Sequence, residues 1–222
     1  MKPKSNFLEF LIWALTLVPL VYMLVLWQDL PARVPIHFNL EGQPDNWGSK
    51  NFLIGIIILL TLGINLLLLI VPNIDPKEKL KSMGSKYQQL RFMMSLFMNA
   101  LAVFILYHAN TGSLEQSNFV YLLIGLLFIV LGNYFQAIKP NYFIGIRTPW
   151  TLESETVWRK THRLGGRLWM AGGAVMCISA LIPNPVLRLV VFFGTGAIVA
   201  FVPVIYSFIE QRKESRRAHS KV

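Results

Sequence analysis

The sequence predicts an all-α membrane protein with six transmembrane helices and both termini in the cytoplasm. Only 14% of its 222 residues are charged, against about 25% in soluble domains. These charges fall in short tracts between apolar runs of about twenty residues, the length at which a helix crosses a bilayer. Eighteen of the 21 Lys and Arg residues fall on one side of a six-span arrangement. Because basic loops stay in the cytoplasm, this bias fixes the predicted orientation.

Six apolar runs define the predicted spans. Backbone groups in lipid must be hydrogen-bonded within the protein, so runs of this length cross as helices. The first run is followed by Gln28-Asp29-Leu30-Pro31 and has no small-residue cleavage pattern, which predicts a retained helix rather than a signal peptide. The runs are Phe7–Trp27, Phe52–Val71, Phe92–His108, Phe119–Ile138, Leu168–Ile182 and Leu187–Ile209.

These runs divide the chain into four segments. Residues 1–72 hold the first two spans and an extracytoplasmic loop, and residues 73–138 hold a basic cytoplasmic loop with spans three and four. Residues 139–209 hold a second cytoplasmic loop with spans five and six, and residues 210–222 form a polybasic cytoplasmic tail.

The predicted span centres contain no Asp, Glu, Lys or Arg. Charged residues inside membranes usually mark ion paths and proton relays, so their absence argues against an ion-coupled transporter. Small residues instead predict close helix packing. Gly172 and Gly173 in the fifth span, with Gly196-x-x-x-Ala200 in the sixth, predict that these two spans form a tight hairpin.

The loop between the first two spans combines a strand pattern with turn formers. It reads LPARVPIHFNLEGQPDNWGSK from residue 30 to residue 50. Apolar and polar residues alternate within it: Ile36, Phe38 and Leu40 against His37, Asn39 and Glu41. Such alternation predicts a short strand whose apolar face covers the helix ends and whose polar face is presented outward. Gly42 and Pro44-Asp45 are turn formers.

Three side chains of this loop are of types that bind metals: His37, Glu41 and Asp45. Their spacing matches no established site. The sequence therefore favours an ordered recognition surface and predicts neither a metal nor another cofactor.

The loop between the fourth and fifth spans begins KPNYFIGIRTPW, a shaped turn punctuated by Pro and Gly. From Thr151, a plausible N-cap, an amphipathic helix is predicted to run to Gly165-Gly166, which would end or bend it. Two interpretations stay open: a helix lying on the inner leaflet, or a docking surface to which Arg147 and Trp150 contribute. His162 has no nucleophile or carboxylate partner nearby in the sequence, so the chain is predicted not to be an enzyme.

The carboxy-terminal tail, RKESRRAHSKV, is a juxtamembrane polybasic segment. Each Lys or Arg near anionic lipid contributes about 1 kcal/mol, so anionic lipids are the predicted partner, with a protein or nucleic-acid contact as the alternative. The net charge of +10 is thus explained by membrane orientation, and no direct binding of nucleic acid is predicted.

Two long motifs carry a resemblance to a known family. The first has the form P-x-H-F-N-x-x-G-x-P-D-x-W-G-S-K over residues 35–50, and the second is NYFIGIRTPWTL followed by VWRKTHRLGG. In this order and on opposite sides of the membrane, they resemble the amino-terminal domain of unknown function and the carboxy-terminal signature of the SdpI-type immunity proteins. The resemblance covers most of the chain.

The resemblance implies a multi-pass protein of the bacterial cell membrane that protects its cell from a secreted peptide toxin. It also implies signalling, in which toxin engagement lets the protein capture a cytoplasmic transcriptional repressor. The implied toxin-facing residues are His37, Asn39, Asp45 and Trp47. The implied partner-facing residues are Asn141, Arg147, Trp150, Trp158, His162 and Arg163.

Two other functions remain as alternatives at this point. A membrane enzyme or small-molecule transporter would use the extracytoplasmic His37, Glu41 and Asp45, joined by His108, with His162 on the cytoplasmic side. A lipid-organising protein would use the polybasic tail and the amphipathic loop.

Overall fold

The computed structural model describes residues 5–39, 43–76, 78–113 and 118–219, which are mostly helical. The loop residues Leu40, Glu41 and Gly42 lie outside the described part. The elements in chain order are α1 (Asn6–Leu26), β1 (Arg33–Phe38), β2 (Pro44–Ser49), α2 (Asn51–Ile74), α3 (Lys79–Ser82), α4 (Ser85–Thr111), α5 (Asn118–Tyr134), α6 (Pro149–Glu153), α7 (Glu155–Ser179) and α8 (Pro185–His219). A π-helical turn, Leu59–Gly63, lies within α2.

Five helices in the described part of the chain are long and apolar enough to cross a membrane: α1, α2, α4, α5 and α8. They coincide with the predicted spans one to four and six. The fifth predicted span, Leu168–Ile182, overlaps the second half of α7, whose first half carries Arg159, Lys160, Arg163 and Arg167. Because of this basic half, α7 is less apolar than the other five helices. The count of six spans therefore stays a prediction.

The chain forms two compact units. The first comprises Met1–Asn73 and Gly84–Leu123, and the second comprises Ile74–Met83 and Ile124–Val222.

The core of the first unit lies beneath the β-hairpin, where α1, α2 and α4 meet β1. Its buried side chains are Met23, Leu30, Val34, Leu53, Ile57, Ala102, Leu106 and Ala109. Because Val34 belongs to β1 and is fully buried, this core fastens the hairpin to the helix ends.

The predicted strand is confirmed as one half of a two-stranded antiparallel hairpin, but its buried face differs from the prediction. The register is irregular on both sides of His37. Val34 and Pro35 are therefore buried as neighbours, Phe38 is only half-buried, and Ile36 is 46% exposed. Ile36 was expected to cover the helix ends, and its side chain instead packs across the hairpin at Gly48, where a Cβ would come within 2.9 Å of Ile36 Cγ2.

Close contacts between helices at glycine positions hold the second unit together. A Cβ added to Gly132 of α5 would lie 2.7 Å from the carbonyl oxygen of Gly166 in α7, and Gly125 meets Gly173 in the same way. On another side of α7, Gly172 lies against Val199 of α8. The predicted close pairing is thus observed between α7 and α8 at Gly172. Gly173 instead packs against α5, and a Cβ on Gly196 would make only an ordinary contact, 3.5 Å from Met176 Cε.

Two predictions about the start and end of α7 were wrong. Thr151 is not an N-cap: Thr148 caps α6 in a reciprocal capping box with Thr151, and Ser154 caps α7. Gly165-Gly166 does not end the helix, because α7 continues to Ser179. The pair is explained by packing, since a Cβ on Gly165 would lie 2.5 Å from Ile146 Cδ1.

Replacing Gly132 by Leu should destabilise the protein by about 1–3 kcal/mol, the usual cost of overpacking a tight contact. Gly194→Leu on α8 is the matched control, since nothing lies within 4 Å of a Cβ there. Thermal unfolding of both variants in one detergent measures the difference. An equal loss of stability in the two variants would refute the tight contact between Gly132 and Gly166.

Candidate functional site

The hairpin presents an ion pair beside an aromatic side chain. His37 Nδ1 and Asp45 Oδ1 are 2.5 Å apart, and both side chains remain largely exposed. Trp47 is 41% exposed on the paired strand, where its carbonyl oxygen accepts a hydrogen bond from Arg33. The structure therefore brings together three of the four residues implied to face a toxin.

The fourth residue, Asn39, shapes the hairpin turn. Its Oδ1 accepts a hydrogen bond from the backbone N–H of Gln43 at 2.9 Å, and its own N–H donates to the Gln43 carbonyl at 2.9 Å. The two bonds close the loop across the residues between them. Asn39 thus positions the strand ends that carry His37 and Asp45.

Lys50, the last residue of the first motif, caps a helix. Its Nζ donates to the carbonyl oxygens of Trp27 at 2.9 Å and Leu30 at 3.3 Å, and it lies 4.8 Å from the centre of the Trp27 ring. A cation is stabilising where the final carbonyls of α1 lack intrahelical partners. This role was not foreseen from the sequence.

The described residues contain no group of three or more His, Cys, Asp or Glu suited to holding a metal. Glu41, considered above as a ligand, lies outside them. His108 is buried in α4, with its Nδ1 against the carbonyl oxygen of Ser113.

Asn141 folds the loop that opens the second motif. Its Nδ2 donates to the carbonyls of Lys139 and Ile144, at 2.8 and 3.0 Å, and its Oδ1 accepts from the N–H groups of Phe143 and Ile144, at 2.8 and 2.7 Å. The side chain is fully buried. Only a carboxamide offers two donors and an acceptor in this geometry, so Asn141 shapes the loop from inside.

His162 fastens the same loop to α7. Its Nε2 accepts a hydrogen bond from the N–H of Ile146 at 3.0 Å, and its Nδ1–H donates to the Trp158 carbonyl at 2.9 Å. The ring stacks on Trp158 at 4.0 Å, and Trp158 Nε1 donates to the Ile138 carbonyl at 2.9 Å. Gly145, at φ +116°, fits between them because a Cβ would lie 2.5 Å from His162 Nε2.

Burial lowers the pKa of His162 from the usual 6.5 to about 4, against the opposing effect of its hydrogen bond to the Trp158 carbonyl. The ring is therefore neutral near pH 7, and its Nε2 is free of a proton and able to accept from Ile146. The geometry gives His162 a positioning role.

The loop is also fastened to α8. Thr148 Oγ1 lies 3.1 Å from Ser207 Oγ, and Ser154 Oγ donates to Glu214 at 2.7 Å. Glu210, only 5% exposed, accepts from Lys160 at 2.7 Å and Lys213 at 2.8 Å. The predicted tail thus begins as a continuation of α8 that engages α7.

The six residues implied to face a partner fall into two groups. Asn141, Trp158 and His162 are buried, and Trp150 is half-buried with its ring 5.1 Å from that of Phe208. Arg147 and Arg163 are exposed. Arg147, Arg163 and the accessible part of Trp150 are therefore the members of this set that reach solvent, and we refer to them together as the arginine face.

A buried polar chain in the first unit was missed. Glu9 accepts from Arg91 Nη1 at 2.9 Å, Arg91 Nε donates to Asn65 Oδ1 at 2.9 Å, and Asn65 Nδ2 donates to Thr16 Oγ1 at 3.2 Å. The predicted third span begins at Phe92 and places Arg91 in the basic loop before it, yet Arg91 lies within α4 and is 4% exposed. The sequence pattern that could have revealed this chain of hydrogen bonds is a polar face at helical spacing on α4, formed by Gln88, Arg91, Ser95 and Asn99.

Acidification should destabilise the second unit. The unfolded chain protonates His162 near pH 6.5 and the folded loop only near pH 4, so this residue's contribution to the free energy of unfolding falls as pH drops between these values. The His162→Gln variant keeps a hydrogen-bond acceptor on the side chain but has no group that titrates in this pH range. Thermal unfolding at pH 7 and pH 4.5 should therefore show a smaller pH effect in this variant. Equal pH effects in both proteins would contradict the lowered pKa assigned to His162 in the folded protein.

Comparison with known proteins matches both motif regions. Residues 137–207, from the end of α5 into α8, match the SdpI/YfhL protein family. Residues 14–64, covering the hairpin with parts of α1 and α2, match a domain of unknown function, DUF1648. The chain is 26% identical over 177 residues to the immunity protein SdpI of Bacillus subtilis (strain 168), covering 79% of this chain and 81% of that one. No solved structure matches.

The two matched regions contain the β-hairpin and the loop before α7, in the order predicted from the motifs. The relative aligns over most of its length, and the five long apolar helices agree with a multi-pass protein of the bacterial membrane. The chain is therefore similar, in both motif regions and over most of its length, to the SdpI-type family of bacterial membrane proteins.

Proposed function

We propose that this protein is a non-enzymatic immunity protein that binds a secreted, membrane-acting peptide toxin and signals by capturing a cytoplasmic repressor. The observation that carries the proposal is the hairpin surface on which His37, Asp45 and Trp47 are exposed together. The similarity to an immunity protein over four fifths of the chain supports it.

The proposed orientation has six spans, with the hairpin outside and the arginine face in the cytoplasm. The distribution of Lys and Arg supports this orientation. Under it, Trp47 lies at the outer interface, where tryptophan is enriched. Exposed Arg212, Arg216 and Arg217 of α8 lie near the inner leaflet and bind anionic lipids.

Toxin recognition in this proposal uses side chains held by the fold. Asn39 and the irregular register at His37 fix the hairpin, so little conformational entropy is lost on binding. Trp47 supplies apolar contact, and the His37–Asp45 pair supplies hydrogen-bonding groups. Tryptophan and charged side chains of this kind are common hot spots of binding.

Repressor capture in this proposal uses the arginine face. Guanidinium groups recognise carboxylates in a bidentate manner, so an acidic patch on the repressor is the expected complement. Asn141, Trp158 and His162 act indirectly by shaping the loop.

Toxin-sensitive bacteria that express this chain should survive a secreted peptide toxin of the Sdp type. His37→Ala/Asp45→Ala should lower the tolerated dose about tenfold or more, which corresponds to about 1.4 kcal/mol of lost binding free energy. Survival is compared at matched membrane abundance. Asp29→Ala, at another exposed position before the hairpin, should protect like the wild type. Full protection by the double variant would remove the hairpin from toxin recognition.

Arg147→Ala/Trp150→Ala should abolish recruitment of the cognate repressor to the membrane fraction without reducing the amount of inserted protein. Arg159→Ala is the control, since Arg159 is exposed on α7 and pairs only at 3.9 Å with Glu155. If the repressor still co-fractionates with the double variant, the docking role of the arginine face is wrong.

A further inference from the structure

A small cavity of about 110 Å³ lies where the end of α5 meets the first half of α7. Gln136 contributes to its lining from the short 3-10 turn that follows α5, and Arg159 and Arg163 contribute from α7. The other lining residues have largely apolar side chains and are Phe135, Ile138, Trp158 and His162. The described lining thus holds two guanidinium groups and no carboxylate, so the cavity suits a compact anion.

Helix packing brings these polar side chains to one level. The glycine contacts described above pair later residues of α5 with earlier residues of α7, so the two helices run antiparallel. From the contact between Gly132 and Gly166, Gln136 lies four residues onward and Arg163 lies three residues back. At 1.5 Å per residue these steps are roughly 6 and 4.5 Å in the same direction. The fold itself therefore places an amide and a guanidinium group beside each other.

The polar groups of the cavity are available to a ligand. Within the described part of the chain, Arg163 has neither a hydrogen bond nor an ion pair. Arg159 has only its exposed pair with Glu155, at 3.9 Å. Both ring nitrogens of His162 already bond to the backbone. The two guanidinium groups and the Gln136 amide are thus the groups that can bind an anion here.

The arrangement of these donors favours a phosphate group. Guanidinium groups bind carboxylate and phosphate oxygens in a bidentate manner. The two oxygens of a carboxylate lie in one plane, whereas the four oxygens of a phosphate point to the corners of a tetrahedron. Because the donors come from two different helices, a phosphate can accept hydrogen bonds from all of them at once.

The depth of the cavity identifies the source of the phosphate. The apolar helix that includes α5 runs over 20 residues from Asn118 to Ala137. At 1.5 Å per residue it spans roughly 30 Å, the thickness of the hydrocarbon core of a bilayer. Gln136 therefore lies where the core ends and the lipid phosphates begin. Basic pockets between transmembrane helices bind the headgroups of anionic lipids in this way.

We propose that this cavity binds the phosphate group of an anionic phospholipid through Arg159, Arg163 and Gln136. The inference goes beyond the proposed function, because it requires neither a toxin nor a repressor. It also differs from the attraction between lipids and the exposed arginines of α8, since it assigns one phosphate to one cavity.

The first test measures lipid binding to the full-length protein in an uncharged detergent by native mass spectrometry. The probes are phosphatidylglycerol, diacylglycerol with the same chains, and inorganic phosphate. Phosphatidylglycerol should fill one site at least about tenfold more tightly than either other probe, because only it offers both the charge and the chains. Equal binding of diacylglycerol would overturn the phosphate contact, and equal binding of inorganic phosphate would overturn the lipid source.

Variants locate the contact. Arg159→Gln and Arg163→Gln should each weaken binding of phosphatidylglycerol about three- to tenfold, the effect of losing one charge-assisted contact. The double variant should lose the site. Lys86→Gln is the matched control, because it removes one exposed positive charge, on α4, outside the lining. Equal weakening in Lys86→Gln, or a retained site in the double variant, would overturn the proposal.

A further variant separates this site from repressor capture. Arg163 also belongs to the arginine face, whereas Arg159 and Gln136 do not. Arg159→Gln/Gln136→Leu should therefore lose phosphatidylglycerol and still recruit the repressor like the wild type. Retained lipid binding in this variant overturns the cavity, whatever the recruitment assay shows. Failure of the wild type to recruit a repressor would contradict the proposed function and leave the lipid measurement to decide the cavity.

Discussion

A polar group that is buried in a protein or in the hydrocarbon core of a bilayer is stable only with a hydrogen-bond partner inside the protein, because its surroundings offer none. This constraint explains most of the motif residues. Asn141 satisfies four loop groups, His162 accepts from Ile146, and Lys50 covers the last carbonyls of α1. In the first unit the same requirement joins Glu9 to Arg91. Several polar side chains of the two motifs therefore shape the loops in which they lie.

The structural role of these polar side chains changes the interpretation of the second motif. Its indoles, imidazole and amide are mostly interior. Among the six residues implied to face a partner, the groups that reach solvent are two guanidinium groups and an indole edge. Because Trp158 stacks on His162 and both bond to backbone carbonyls or amides, the loop has a single well-defined shape. Such preorganisation reduces the ordering cost when a partner binds.

The helical spans and the hairpin were predictable from hydrophobic run length and period-two alternation, which are local properties of the chain. The buried face of the hairpin was not, because the irregular register at His37 shifts which side chains face inward. The role of Gly165-Gly166 was missed for a similar reason: glycine favours both helix ends and close packing, and only the position of Gly132 on another helix decides between them. For the second motif, a shaped turn followed by a helix was predictable, whereas the burial of its side chains was not. Trp158 and His162 bond to loop residues 20 and 16 positions earlier, and Trp150 packs against Phe208 of α8.

The continuity of α8 has a mechanical consequence. One helix carries the apolar stretch and, further along, Ser207, Glu210 and Glu214, which hold the cytoplasmic loop through Thr148, Lys160 and Ser154. A transmembrane helix adjusts its tilt to the thickness of the surrounding bilayer. Because the loop is attached to this helix at three points, a change in tilt carries Arg147 and Arg163 with it. Under the proposed orientation, membrane thickness thereby affects the angle at which the two guanidinium groups are presented.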